Sequence, residues 1–80
     1  MWYVYLLESD GTTGQRYLGV TSDLKRRLAE HNAGKSHHTA KYLPWRLVTY
    51  IAFSDEAKAR AFERYLKSGS GHAFANKRLW

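Results

Sequence analysis

The chain contains no cysteine and a single proline among its 80 residues. Without thiols, neither a disulfide framework nor a thiolate metal site is available, and the core must hold the fold alone. Long apolar runs are also missing. The opening MWYVYLLESDG has no basic stretch ahead of its apolar residues, and these are too few for a signal-peptide core or a membrane span. A cytoplasmic protein without membrane association is expected. Acidic residues are scarce, seven against thirteen lysines and arginines, leaving a net charge of +6. That excess favours polyanionic partners, nucleic acid first, through release of counterions from phosphates. The same charge also keeps a small protein in solution, so function has to be sought in particular residues. There is no repeat, linker or low-complexity tract.

What is present is short apolar and aromatic segments. Hydrophobic residues make up 44% and aromatics 15% of the chain, enough for one packed core, and the length predicts one domain over 1–80. Residues 2–7 are apolar on both alternating faces, the pattern of a central strand covered on each side. The turn-rich ESDGTTG, with Asp10-Gly11 at the expected positive-φ position, leads into a second strand at about 16–20 and predicts a β-hairpin. Thr21 or Ser22 is placed to cap a helix over about 22–33, Asp23 suits its N-terminal dipole, and Gly34 should stop it. KSHHTAKYLP reads as an exposed loop, residues 45–53 as a third strand and Ser54-Asp55-Glu56 as the start of a helix to about 67. SGSG should end that helix, and a short last one is expected from about His72. The order ββαβαα predicts an α+β domain, a small three-stranded antiparallel sheet flanked by helices.

On the first helix, Leu24, Arg27, Leu28 and His31 fall on one stripe, whereas Lys25, Arg26 and Glu30 point elsewhere. A guanidinium and an imidazole facing a sheet are expensive unless they are paired or line a cleft. On the second helix, Ala59, Phe62 and Leu66 form the apolar stripe, with Glu63 at its border. Tyr5 and Tyr17 sit on hairpin partners, where both hydroxyls can reach one face. Phenol, guanidinium, imidazole and carboxylate are therefore candidates to converge. Each also has a structural explanation: Arg27 and His31 reaching water from the rim, an Arg27–Glu63 ion pair across the sheet, and tyrosines that only pack.

In this order the residues resemble the GIY-YIG nuclease superfamily, which includes the nuclease domain of a bacterial DNA-repair excinuclease and some homing endonucleases. YVY at residues 3–5 resembles the GIY half, with Tyr3 in place of glycine, and YLG at 17–19 resembles the YIG half. The family's arginine, histidine and metal-binding glutamate match Arg27, His31 and Glu63, and Asn76 is the candidate for an asparagine near its C-terminus. The chain is most similar to the family's small stand-alone members.

The resemblance implies a ββαβαα fold and a divalent-metal-dependent endonuclease. Catalytic residues would be Tyr5, Tyr17, Arg27, His31 and Glu63, with one Mg²⁺ or Mn²⁺ on Glu63. Either Tyr5 or Tyr17 would help deprotonate the attacking water, which asks for a phenol of lowered pKa, and Tyr5 is preferred. Further nucleic-acid contacts would come from Arg26, His38, Lys41 and Asn76. DNA is the favoured substrate; with no helix-turn-helix or zinc module visible, selectivity would come from DNA shape or a partner protein. The competing readings are a non-catalytic nucleic-acid binding module, or a protein-interaction domain anchored on an exposed Trp45 or Trp80.

Overall fold

A computed structural model describes all of residues 1–80. The apolar run at the start becomes β1 (Trp2–Ser9), which pairs antiparallel with β2 (Arg16–Thr21) on one side and β3 (Trp45–Phe53) on the other, in the order β2-β1-β3. A central strand needs apolar side chains in both directions because each face must be covered. Alternation divides them: Val4 and Leu6 pack with Ala59, Leu66 and Ala75, while Tyr5 and Leu7 pack with Trp45. The first layer is formed by α2 (Glu56–Lys67) and α3 (Gly69–Arg78). The second is formed by α1 (Leu24–Asn32) and the segment through a 3-10 turn at Ala40–Tyr42. A leucine as fully enclosed as Leu6 or Leu66 contributes about 1.5–3 kcal/mol by leaving water.

The expected α+β order is present, with local differences. Asp23, rather than Thr21 or Ser22, caps α1 by accepting from the Arg26 backbone N–H at 3.1 Å, and Thr21 supports it by accepting from Asp23 N–H at 3.1 Å. Gly34 follows α1 with φ 75°, as a stop residue requires. In the hairpin loop the positive φ falls on Gly14, at 85°, and not on Gly11. Gly11 instead lies against the Leu43 carbonyl, where a Cβ would collide. SGSG does not separate two helices. Ser68 ends α2 and caps α3 by accepting from Gly71 N–H at 3.4 Å, so the last helix starts at Gly69 rather than His72.

The segment 35–44 is not simply an exposed loop. Asn32 ties its end to β3, accepting from Trp45 N–H at 2.6 Å and donating to the Trp45 carbonyl at 3.0 Å. Ser9 donates to the Tyr42 carbonyl at 2.6 Å, and Thr39 is only 1% exposed. Neither tryptophan is an exposed anchor. Trp45 is buried and donates to the Thr39 carbonyl at 2.9 Å; Trp80 is partly buried beneath the Arg16 guanidinium, 4.6 Å from its ring centroid.

Candidate active site

Tyr5 on β1 faces Gly19 on β2 across the ladder, and that pairing explains the glycine. The Tyr5 ring crosses the space a side chain would take, so a Cβ on Gly19 would run into its Cζ and hydroxyl. Gly19→Ala should therefore displace Tyr5. The expected result is a loss of about 1–3 kcal/mol in urea unfolding, the cost of overpacking, together with loss of function. An alanine variant as stable as the parent would mean that the ring shifts freely.

Beneath the Tyr5 hydroxyl lies His31, which is fully buried. Its Nε2 is 2.9 Å from the Tyr5 hydroxyl and its Nδ1 is 2.8 Å from Thr39 Oγ1. Thr39 donates its own proton toward the Ser36 carbonyl at 3.4 Å. All three groups are satisfied by one tautomer, in which Nδ1–H donates to Thr39 and Nε2 accepts from Tyr5. Burial, joined by the positive charge of Arg27, lowers the His31 pKa from 6.5 to about 4, so the ring is neutral near pH 7.

A pH dependence of stability follows. The unfolded chain takes up a proton on His31 below about 6.5 and the folded one does not until about 4. Acid therefore favours unfolding, and stability is lost as pH falls through that window. The contribution is about 3 kcal/mol, from 1.36 kcal/mol per pKa unit. Thermal unfolding between pH 7 and 4 should show this slope in the parent and lose it in His31→Gln; equal slopes would contradict a buried neutral imidazole.

Arg27 stands at the rim of this face, its side chain 32% exposed. It does not pair with Glu63. It donates to Glu30 at 3.1 Å, one helical turn away, and lies close enough to Tyr5 to act on its hydroxyl. Burial works against the Arg27 charge, but Tyr5 and Glu30 outweigh it and raise its pKa. Glu30, expected to point away, is thus part of the site's electrostatics; its i, i+3 spacing from Arg27 was the available signal. For Tyr5, burial outweighs Arg27 and raises the phenol pKa. The lowered pKa expected of a water-activating phenol is therefore not found at Tyr5, which is 2% exposed. Tyr17 is more open. Its ring centroid is 4.9 Å from that of His31 and 6.2 Å from that of Tyr5, and it lines a cavity at the free edge of β2.

The carboxylate stands apart from these groups. Glu63 lies on α2, which covers the opposite face of the sheet, and its ion-pair partner is Lys67 one turn on. Leu66 and Lys67 line the same β2-edge cavity as Tyr17, so the edge is where the two faces meet. No group of three histidine, aspartate or glutamate side chains is gathered anywhere. A lone carboxylate, 18% exposed, still fits Mg²⁺ or Mn²⁺, hard ions that keep several waters and take one or two carboxylates plus substrate phosphate. Of the other expected contacts, Arg26 and Lys41 are exposed on α1 and the 3-10 turn, and His38 lines the cavity. Asn76 on α3 accepts from Arg16 at 3.2 Å. Thr39, which fixes His31, carries no signal in the sequence, because its partner is set by how the loop folds back.

A sheet of order β2-β1-β3 with a tyrosine seated on a glycine over a buried histidine defines a small α+β domain with a polar cluster on one face of its sheet. The chain matches the GIY-YIG catalytic domain over residues 1–77 and belongs to that family. It is 39% identical over 80 residues to a UPF0213 protein of Cupriavidus pinatubonensis, covering 95% of this chain and 87% of the relative. A UPF0213 protein of Lacticaseibacillus paracasei is 42% identical over 73 residues, 89% of this chain and 79% of the relative. The solution NMR structure of a UPF0213 protein from Bacillus halodurans superposes with a TM-score of 0.56 at 33% identity, covering 99% of this chain and 87% of that one. No helix is long and apolar enough to cross a membrane.

Proposed function

We propose that this protein is a divalent-metal-dependent endonuclease that hydrolyses phosphodiester bonds in DNA, directed by substrate structure more than by sequence. The observation that carries the reading is the Tyr5–His31–Thr39 chain of hydrogen bonds beside Arg27 and Tyr17. The buried imidazole is fully hydrogen-bonded and neutral, so it fixes the Tyr5 hydroxyl in one place at the edge of a face that carries Arg27 and Tyr17, the geometry a site for an anionic phosphate needs.

Tyr17, open to the cavity, contacts the attacking water and, as its phenolate, takes that water's proton and becomes the neutral phenol, the role for which the resemblance favours Tyr5. Tyr5, enclosed and bonded to His31, holds the ring pair in place. Arg27 meets the charge that develops on the phosphoryl oxygens, for which its planar fork is suited. Glu63 holds the metal ion, which when bound polarises the phosphate and stabilises the leaving oxygen. Lys67, the ion-pair partner of Glu63 at the cavity wall, would face phosphate with its exposed ammonium group.

The test is cleavage of single-stranded, duplex, branched and flapped DNA, and of matching RNA, with Mg²⁺, Mn²⁺ or EDTA. Metal-dependent cleavage of DNA is the expected result. A protein that binds but is inert on every substrate with every metal would be the non-catalytic binding module instead. Binding itself should be mainly electrostatic, with affinity falling steeply as salt rises and differing little among duplex sequences. Salt-independent binding, or strong preference for one duplex sequence, would count against it.

A further inference from the structure

The cavity at the β2 edge has a volume of about 330 Å³, within the ~300–1,000 Å³ of small-ligand clefts. Hydrolysis uses its Tyr17 and Lys67 walls. The rest of its lining has a chemistry of its own. Four rings border it, those of Tyr17, His38, His72 and Trp80, together with the cations Arg16 and Lys67 and no carboxylate. Leu18 and Leu66 supply apolar surface. One wall is braced before any ligand arrives. Arg16 lies over Trp80, anchored by Glu8 at 3.0 Å and Asn76 at 3.2 Å. The His38 and Tyr17 ring centroids are 6.4 Å apart.

Flat apolar and aromatic walls with positive charge at hand, and no acid, suit a flat heterocycle joined to phosphate. Aliphatic ligands would leave the rings unused, and a cationic ligand would meet Arg16 and Lys67. We propose that this cavity is a subsite for one unpaired nucleobase of the substrate strand, stacked on His38 and His72 beside the scissile phosphate, with Trp80, whose ring Arg16 covers, as the floor rather than a stacking face. The inference rests on the nuclease reading through Tyr17, which belongs to both places. A base inside a duplex cannot enter, because its faces are stacked and its edge is paired. The preferred substrate is therefore a strand with an unpaired nucleotide next to the cleaved bond. Histidine rings are common stacking partners for such bases, and stacking tolerates any sequence.

The test is binding in EDTA, measured by fluorescence anisotropy with a short single-stranded DNA, an RNA of the same sequence and the corresponding blunt DNA duplex at equal salt. Either single strand should bind about tenfold tighter than the duplex, the scale of one base-stacking contact. His72→Ala and His38→Ala should each weaken single-strand binding about fivefold or more and leave duplex binding unchanged. His37→Ala, exposed but outside the cavity, should change neither. All three histidines are exposed, so the variants should fold. A 2-aminopurine in the single strand should change fluorescence on binding the parent and less on binding His72→Ala.

Equal affinity for single strand and duplex, or equal losses on both in His72→Ala, would overturn the subsite. Because no metal is present, the outcome does not depend on cleavage. Selective binding without cleavage on any substrate would keep the subsite and reject the nuclease. Cleavage of duplex indifferent to His72 would do the reverse.

Discussion

Replacing Glu63 by glutamine should abolish cleavage, by about two orders of magnitude or more, while DNA binding persists or tightens. The change keeps the size and hydrogen-bonding capacity of the side chain but removes the charge a hard cation needs. Stability separates this role from a structural one. The only ion-pair partner of Glu63 is Lys67, whose side chain is 55% exposed, and an i, i+4 pair of that kind is worth about 0.3–0.5 kcal/mol. The variant should therefore unfold close to the parent in the absence of metal. Mg²⁺ or Mn²⁺ should raise the melting temperature of the parent and not that of Glu63→Gln. Unchanged cleavage by the variant would remove Glu63 from the reaction.

Arg27 and Arg26 are adjacent in sequence and should behave very differently. Arg27 is at the rim of the Tyr5–His31 face, whereas the Arg26 side chain is 67% exposed, with only a 3.9 Å approach to Glu30. Arg27→Ala should lower cleavage about 100-fold or more, the scale of losing a donor aimed at a developing anion. Arg27→Lys should recover little of it, because a point charge does not reproduce a bidentate contact. Arg26→Ala should leave the cleavage step intact and weaken DNA binding modestly, with the salt slope reduced by about one. Unfolding curves for Arg27→Ala and Arg27→Lys would exclude a collapse of the fold. Similar losses of cleavage at both arginines would mean that neither is aimed at the reacting phosphate.

The phase of α1 was legible because an amphipathic helix repeats at a fixed angle. Leu24, Arg27, Leu28 and His31 had to share a stripe wherever that helix packed. Strand alternation likewise put Tyr5 and Leu7 on one side of β1 and Val4 and Leu6 on the other, and the unbroken apolar run of that strand required a layer on each side. These properties are local: each follows from a period that a single element carries.

Periodicity does not say what an element meets. It offered Glu63 as a partner for Arg27, but α2 lies on the other side of the sheet and Arg27 turns to Glu30 instead. Nothing in the loop marked Thr39, which becomes the hydrogen-bond partner of His31 only because the chain between α1 and β3 folds back beneath the sheet. The accessibility of the two tyrosines was also decided in three dimensions. Tyr5 is on the central strand and is enclosed, while Tyr17 is on an edge strand and opens onto the cavity. His72 and Trp80 reach that cavity because α3 turns back directly at Ser68. The sequence by itself determined the elements, their apolar faces and the side chains those faces carry, since propensity and period act over a few residues. Which of those side chains touch, and which meet solvent, was decided by the tertiary structure, because contacts between distant segments depend on strand order and on the side of the sheet each helix takes.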